Sequence, residues 1–170
     1  MPDELPLTSF SILMARYKGF LRTAVAGVAA VEGLADGDRI RYVDLPELYR
    51  ESDIISLHCP LTPETHHLIN GESLAACKKG VVLLNTSRGA LVDEAALLEA
   101  LRSGHLRGAG LDVFETEPVT EGNPLFLLEN NVLAPHVSAA TYETNYNGGL
   151  ISARSIINVL QGGNVVYPLW

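Results

Sequence analysis

At 170 residues the chain has the length of one ordinary domain, enough to bury a real core. Hydrophobic residues make up 47% and charged residues 19%, a globular profile rather than a disordered one. The formal net charge of −8 argues against a nucleic-acid backbone as the main partner, although a single local arginine can still bind a small anion.

Two cysteines, Cys59 and Cys77, are too few for a disulfide framework and lack metal-ligand spacing. No metal and a reducing, cytoplasmic setting are therefore expected. No apolar run reaches the roughly 18 residues that a membrane helix needs. Asp3 and Glu4 precede Arg16, Lys18 and Arg22, an order that does not suit a secretory signal.

Residues 8–31 are apolar and mixed, followed by a glycine- and aspartate-rich turn over 33–38, and one or two helices are expected there. The division that follows is a helical segment over 1–40 and a partial nucleotide-binding domain over 41–170. From residue 40 onward the pattern becomes regular. LPELYRE (45–51) reads as a helix with Pro46 in its first turn, where proline is tolerated. DIISLHC (53–59), GVVLLNT (80–86) and AGLDV (109–113) are apolar runs beginning 27 and 29 residues apart. Each is nearly continuous rather than alternating, as strands covered on both faces are. Between the last two, residues 93–103 place Leu97, Leu98 and Leu101 on one helical face, with Gly104 as the expected C-cap. NVLA (131–134) reads as a further short strand, and residues 142–160 as a final helix ending before Gly162 and Gly163. Strand, helix and strand at this spacing predict βαβ units on a parallel sheet, an α/β fold.

In such sheets ligands bind beyond the carboxyl ends of the strands. The polar residues at those ends are His58-Cys59-Pro60, Thr86-Ser87-Arg88-Gly89, the run 112–118, and Pro135-His136. Four successive strands ending in chemically capable groups are hard to attribute to packing. His58, His66, His67 and His105 read as polar loop or strand-end residues, and the adjacent pair His66-His67 lacks the spacing of metal ligands. Cys77 reads as packing on a helix.

The ordered blocks SDIISLHCPLTPETHHLIN, KKGVVLLNTSRGALVDEAALLEAL, GAGLDVFETEP and NVLAPHVSAAT resemble the successive signature blocks of the D-isomer-specific 2-hydroxyacid dehydrogenases, D-lactate dehydrogenases among them. The resemblance implies a Rossmann-like NAD-binding domain and hydride exchange between a 2-hydroxy acid and a 2-keto acid. It implies Arg88 as the group that binds the substrate carboxylate, a role suited to a rigid fork of donors. His136 is implied as proton donor and acceptor. Glu117 is implied as the partner that orients this histidine and favours its charged form. By position, Cys59, Pro60 and Thr65 match a loop near the adenosine half of the cofactor. Thr86, Ser87, Arg88, Asp112 and His136 match its nicotinamide side, with Asp112 accepting from the carboxamide. The cofactor is NAD, with NADP left open.

The chain departs from the family in one respect. The fingerprint G-x-G-x-x-G is absent: Gly27, Gly33 and Gly37 are too widely spaced, and Gly104, Gly108 and Gly110 precede a strand instead of following one. The acidic residue that holds the adenosine ribose has no candidate either. The first βαβ unit is thus expected to be missing, together with most of the substrate-side domain, and a truncated form is expected. Such a loss removes the main anchor for the pyrophosphate and bares apolar strand edge. The expected outcomes are a marginal fold, pairing with another copy or with a full-length homologue, or an incomplete gene product. A non-catalytic remnant is one alternative. Another is a different hydride enzyme, such as a phosphoglycerate or formate dehydrogenase, although the formate branch carries glutamine where this chain has Glu117.

Overall fold

The computed structural model describes residues 12–17, 21–26 and 40–164, with side chains from residue 43 onward. It divides into two compact units, Met1–Pro135 and His136–Trp170.

In the first unit the described residues form a seven-stranded sheet of order β3-β1-β2-β4-β5-β6-β7. The strands are β1 (Ile12–Tyr17), β2 (Leu21–Ala26), β3 (Ile40–Val43), β4 (Ile54–Leu57), β5 (Val81–Asn85), β6 (Leu106–Leu111) and β7 (Asn131–Leu133). Pairing is parallel from β2 through β4, β5 and β6 to β7, whereas β1 runs antiparallel to both β2 and β3. The parallel strands are short and apolar, as strands with both faces covered should be. Ile55, Leu57, Leu83 and Leu106 are almost completely excluded from solvent, each stabilising the sheet by about 2 kcal/mol.

Helices α1 (Leu45–Glu51), α2 (Gly71–Ala76) and α3 (Glu94–Arg102) complete the layer, with α2 against both α1 and α3, and α3 against β6. Each starts at a side-chain cap that satisfies an orphan amide of the first turn. Asp44 accepts from Glu47 N at 2.8 Å, and Asp93 accepts from Ala96 N at 3.0 Å. Asn70 forms a full capping box with Ser73. Leu97 and Leu101 are buried while Leu98 is half-buried, and Gly104 ends the helix region at φ +69°, so the expected face and cap of α3 both appear. In the second unit α4 (Tyr142–Leu160) begins at Thr141, whose hydroxyl oxygen accepts from Thr144 N at 3.1 Å.

The amino-terminal expectation needs correction. Where residues 8–31 are described, they are strands β1 and β2 and not helices; the remainder of that stretch lies outside the described residues. The reason is long-range pairing. Thr23 to Ala26 of β2 stand opposite Ile54 to Leu57 of β4, so β2 takes the edge that β4 would otherwise leave bare. Strand preference depends on such context far more than on the local sequence.

Candidate active site

Because β4, β5, β6 and β7 are parallel, their carboxyl ends lie along one border of the sheet. The predicted residues of the first unit stand in the segments that follow them. Beyond β4, Cys59 is buried and Pro60 exposed. Burial holds the Cys59 thiol above the ordinary thiol range. Thr65 is fully buried, and its hydroxyl is engaged within its own loop. It donates to Pro60 O at 2.8 Å and accepts from Thr62 N at 2.7 Å, which fixes the course of residues 60–65.

Beyond β5 the chain turns sharply, and a residue that the sequence reading did not single out controls the turn. Asn85 is buried at 1% exposure; its Oδ1 accepts from Ser87 N at 3.1 Å and its Nδ2 donates to Arg88 O at 2.9 Å. An amide closing an apolar run, three residues before an arginine, was the available signal. The Ser87 hydroxyl donates to Leu57 O at 2.8 Å and so ties the ends of β5 and β4 together. Thr86 and Arg88 are exposed, and Arg88 Nη1 donates to Ser87 O at 2.7 Å.

Beyond β6, Asp112 is buried at 4% exposure, and its amide donates to Asn85 O at 2.9 Å. The Asn85 turn and the backbone of Asp112 are therefore neighbours. Phe114 is buried, and its amide donates to Glu117 Oε1 at 2.9 Å, folding the Glu117 carboxylate back over its own turn. Gly89 lies against this turn: a Cβ added there would overlap the carbonyl of Phe114. The Arg88 and Glu117 segments are thereby brought together. A charged fork, a buried acceptor and a carboxylate on adjoining strand ends suit a carboxylic substrate and an amide-bearing ring. This donor set fits the nicotinamide half of a dinucleotide; the sequence contains no glycine loop for its phosphates.

After β7, Ala134 N donates to Leu111 O at 2.9 Å. His136 begins the second unit with φ +56°, in the left-handed region that non-glycine residues rarely adopt. Such a backbone is held where surrounding structure enforces it, often at functional positions.

The other histidines are engaged locally or at the loop. His58 Nε2 pairs with Ser56 Oγ at 2.8 Å and His105 Nε2 with Leu74 O at 2.8 Å. The His66 and His67 rings stack at 4.0 Å, and His67 pairs with Glu115. Among the described residues no group of three or more His, Cys, Asp or Glu could hold a metal ion. Cys77 is buried at the end of α2, its thiol donating to Ser73 O at 3.2 Å. Among the described residues no helix is long and apolar enough to cross a membrane.

Residues 15–138 match the family model of the D-isomer specific 2-hydroxyacid dehydrogenase, NAD binding domain. The chain is 46% identical over 122 residues to glyoxylate/hydroxypyruvate reductase B of Cronobacter sakazakii, covering 72% of this chain and 38% of that relative. The crystal structure of the TT0316 protein from Thermus thermophilus matches with a TM-score of 0.72 and 49% identity, over 75% of this chain and 41% of that one. The apo-structure of D-lactate dehydrogenase from Escherichia coli matches with a TM-score of 0.69 and 38% identity, over 76% of this chain and 41% of that one. The chain thus spans well under half the length of each of these proteins.

Proposed function

Because the chain belongs to the D-isomer-specific 2-hydroxyacid dehydrogenase family, we propose that it carries the substrate-facing chemistry of an NAD-dependent reduction of a small 2-keto acid. Glyoxylate and hydroxypyruvate, named for the Cronobacter relative, are the first candidates. The observation that carries this reading is the Asn85 turn, which presents Arg88 beside the strand end bearing Asp112.

Arg88 binds the substrate carboxylate through paired, charge-assisted hydrogen bonds. Asp112 accepts a hydrogen bond from the cofactor's carboxamide, Thr86 and Ser87 line the same side, and Cys59, Pro60 and Thr65 shape the loop toward the adenosine half. The bound nicotinamide supplies the hydride, which no side chain can provide. His136 gives a proton to the keto oxygen during reduction and removes it from the hydroxyl in reverse. Glu117 is the third member of this proposed trio, in the role that its motif match to the family gives it. Free buried thiols at Cys59 and Cys77 suit the reducing, cytoplasmic setting proposed for the chain.

A second reading follows from one sequence fact, the absence of G-x-G-x-x-G among these 170 residues. In that reading the chain is a non-catalytic remnant that associates with itself or with a full-length homologue. NADH binding to the purified chain, followed by nicotinamide fluorescence, separates the two. Micromolar binding with turnover of glyoxylate that Arg88→Ala abolishes supports the enzyme. Binding no tighter than millimolar refutes it and leaves the remnant, whose self-association light scattering then tests.

A further inference from the structure

We infer that His67 is a positioning residue for the Glu117 carboxylate, acting through its hydrogen bond with Glu115. The inference rests on the role given to Glu117 above. His67 belongs to a loop far from Glu115 in sequence, and its own backbone is fixed before its ring reaches across. At φ +50° its amide donates to Ala90 O at 2.9 Å. The next residues continue this rail: Ile69 N donates to Leu91 O at 2.9 Å and Asp93 N to Ile69 O at 2.8 Å. The stacked ring of His66 covers one face of the imidazole. Nε2 of His67 then meets Oε1 of Glu115, both side chains being about one-third exposed at 35% and 32%.

Glu115 is the pivot of the turn that ends at Glu117. Its amide donates to Glu94 Oε1 at 2.7 Å, and Glu94 Oε2 in turn accepts from Asn123 Nδ2 at 3.2 Å. One residue earlier, Phe114 is buried against Gly89 and donates its amide to Glu117 Oε1 at 2.9 Å. The Glu117 carboxylate is therefore held by a turn that Gly89, Glu94 and His67 fix from outside. Of the three, His67 alone grips the Glu115 side chain, and it does so from a separate segment whose position α3 and its preceding turn define. Loss of that grip frees the turn to rotate about its amide anchor, and the acceptor geometry at Glu117 is lost with it.

The test is residue-resolved amide exchange of the full chain, with kinetics on the same variants. His67→Ala and Glu115→Ala should each speed exchange of the Phe114 amide about two- to fivefold, the range of a partly exposed polar pair. The double variant should be no faster than either single one, since both remove one interaction. His67→Gln, which keeps a donor at similar reach, should restore slow exchange, and Leu83 in β5 should exchange as before. With glyoxylate and NADH the variants should lose kcat at unchanged KM, because Arg88 still holds the carboxylate. Unchanged Phe114 exchange in both single variants, additive effects in the double variant, or a rise in KM alone overturns the inference. If His67→Ala unfolds the chain, Glu115→Ala carries the same comparison by truncating one exposed side chain. A chain without turnover refutes the functional reading, while the exchange pattern still decides the tether.

Discussion

Gly89 and Phe114 touch through their backbones so closely that no side chain fits between them. This contact joins the turn that displays Arg88 to the turn that displays Glu117. Gly89 lies outside the left-handed region, so the requirement here is space and not conformational freedom. Gly89→Ala should push the two turns apart and destabilise the fold by about 2–3 kcal/mol, as overpacking does. Urea unfolding of the variant checks this; an unchanged midpoint would show that the two turns tolerate separation.

Asn85 holds the Arg88 turn with one donor and one acceptor in a buried position. Asn85→Ala leaves an amide and a carbonyl of the turn without their partner, a loss of about 1–3 kcal/mol. In kinetics the variant should raise KM for the keto acid more than it lowers kcat, because the arginine is displaced and the proton donor is not. Equal effects on both parameters would place Asn85 outside substrate binding.

Arg88→Lys keeps the charge but replaces a planar fork with a point charge. Losing a charge-assisted bond of about 1.5–3 kcal/mol should raise KM for glyoxylate about tenfold to a hundredfold. Melting temperature should stay the same, because Arg88 is exposed and its recorded bond is to the neighbouring Ser87 carbonyl. A lysine variant as good as the parent would remove the bidentate role.

Alkaline stability reports on the core at α1 and α2. Burial, reinforced by the nearby Cys77 thiol, pushes the Tyr49 hydroxyl from 10.0 to about 12, and burial pushes the Cys77 thiol from 9.0 to about 11. Both are acids raised in the folded state, so the unfolded chain loses these protons first. The stabilisation is fully present below pH 9 and is lost as pH rises through about 11 for Cys77 and about 12 for Tyr49. Each group contributes a fall of about 1.4 kcal/mol per pH unit inside its window. Denaturant titrations from pH 8 upward should show this decline, and Cys77→Ala should delay its onset; a flat profile contradicts the burial assigned to both groups. Cys59 and Cys77 should likewise resist thiol reagents near neutral pH, since both are buried with raised pKa values.

Much of the sheet and three of the described α-helices were legible in the sequence. The apolar runs at 53–59, 80–86, 109–113 and 131–134 became β4 to β7, and α1, α3 and α4 fell where capping and periodicity placed them. Local signals sufficed there because each segment is short, continuous and punctuated by its own cap or glycine. The ordered blocks around Arg88, Glu117 and His136 also identified the family, and the match over residues 15–138 bears that out.

What the sequence could not contain are relations between segments distant along it. The strand character of Leu21–Ala26 depends on pairing with β4. The need for glycine at 89 depends on Phe114, and the grip on Glu115 depends on His67. Composition and periodicity describe a residue's neighbours along the chain, whereas hydrogen bonds and steric exclusion act between neighbours in space. The sequence by itself thus determined the lineage and the chemical inventory, and tertiary packing decided how the Arg88 and Glu117 segments are held together.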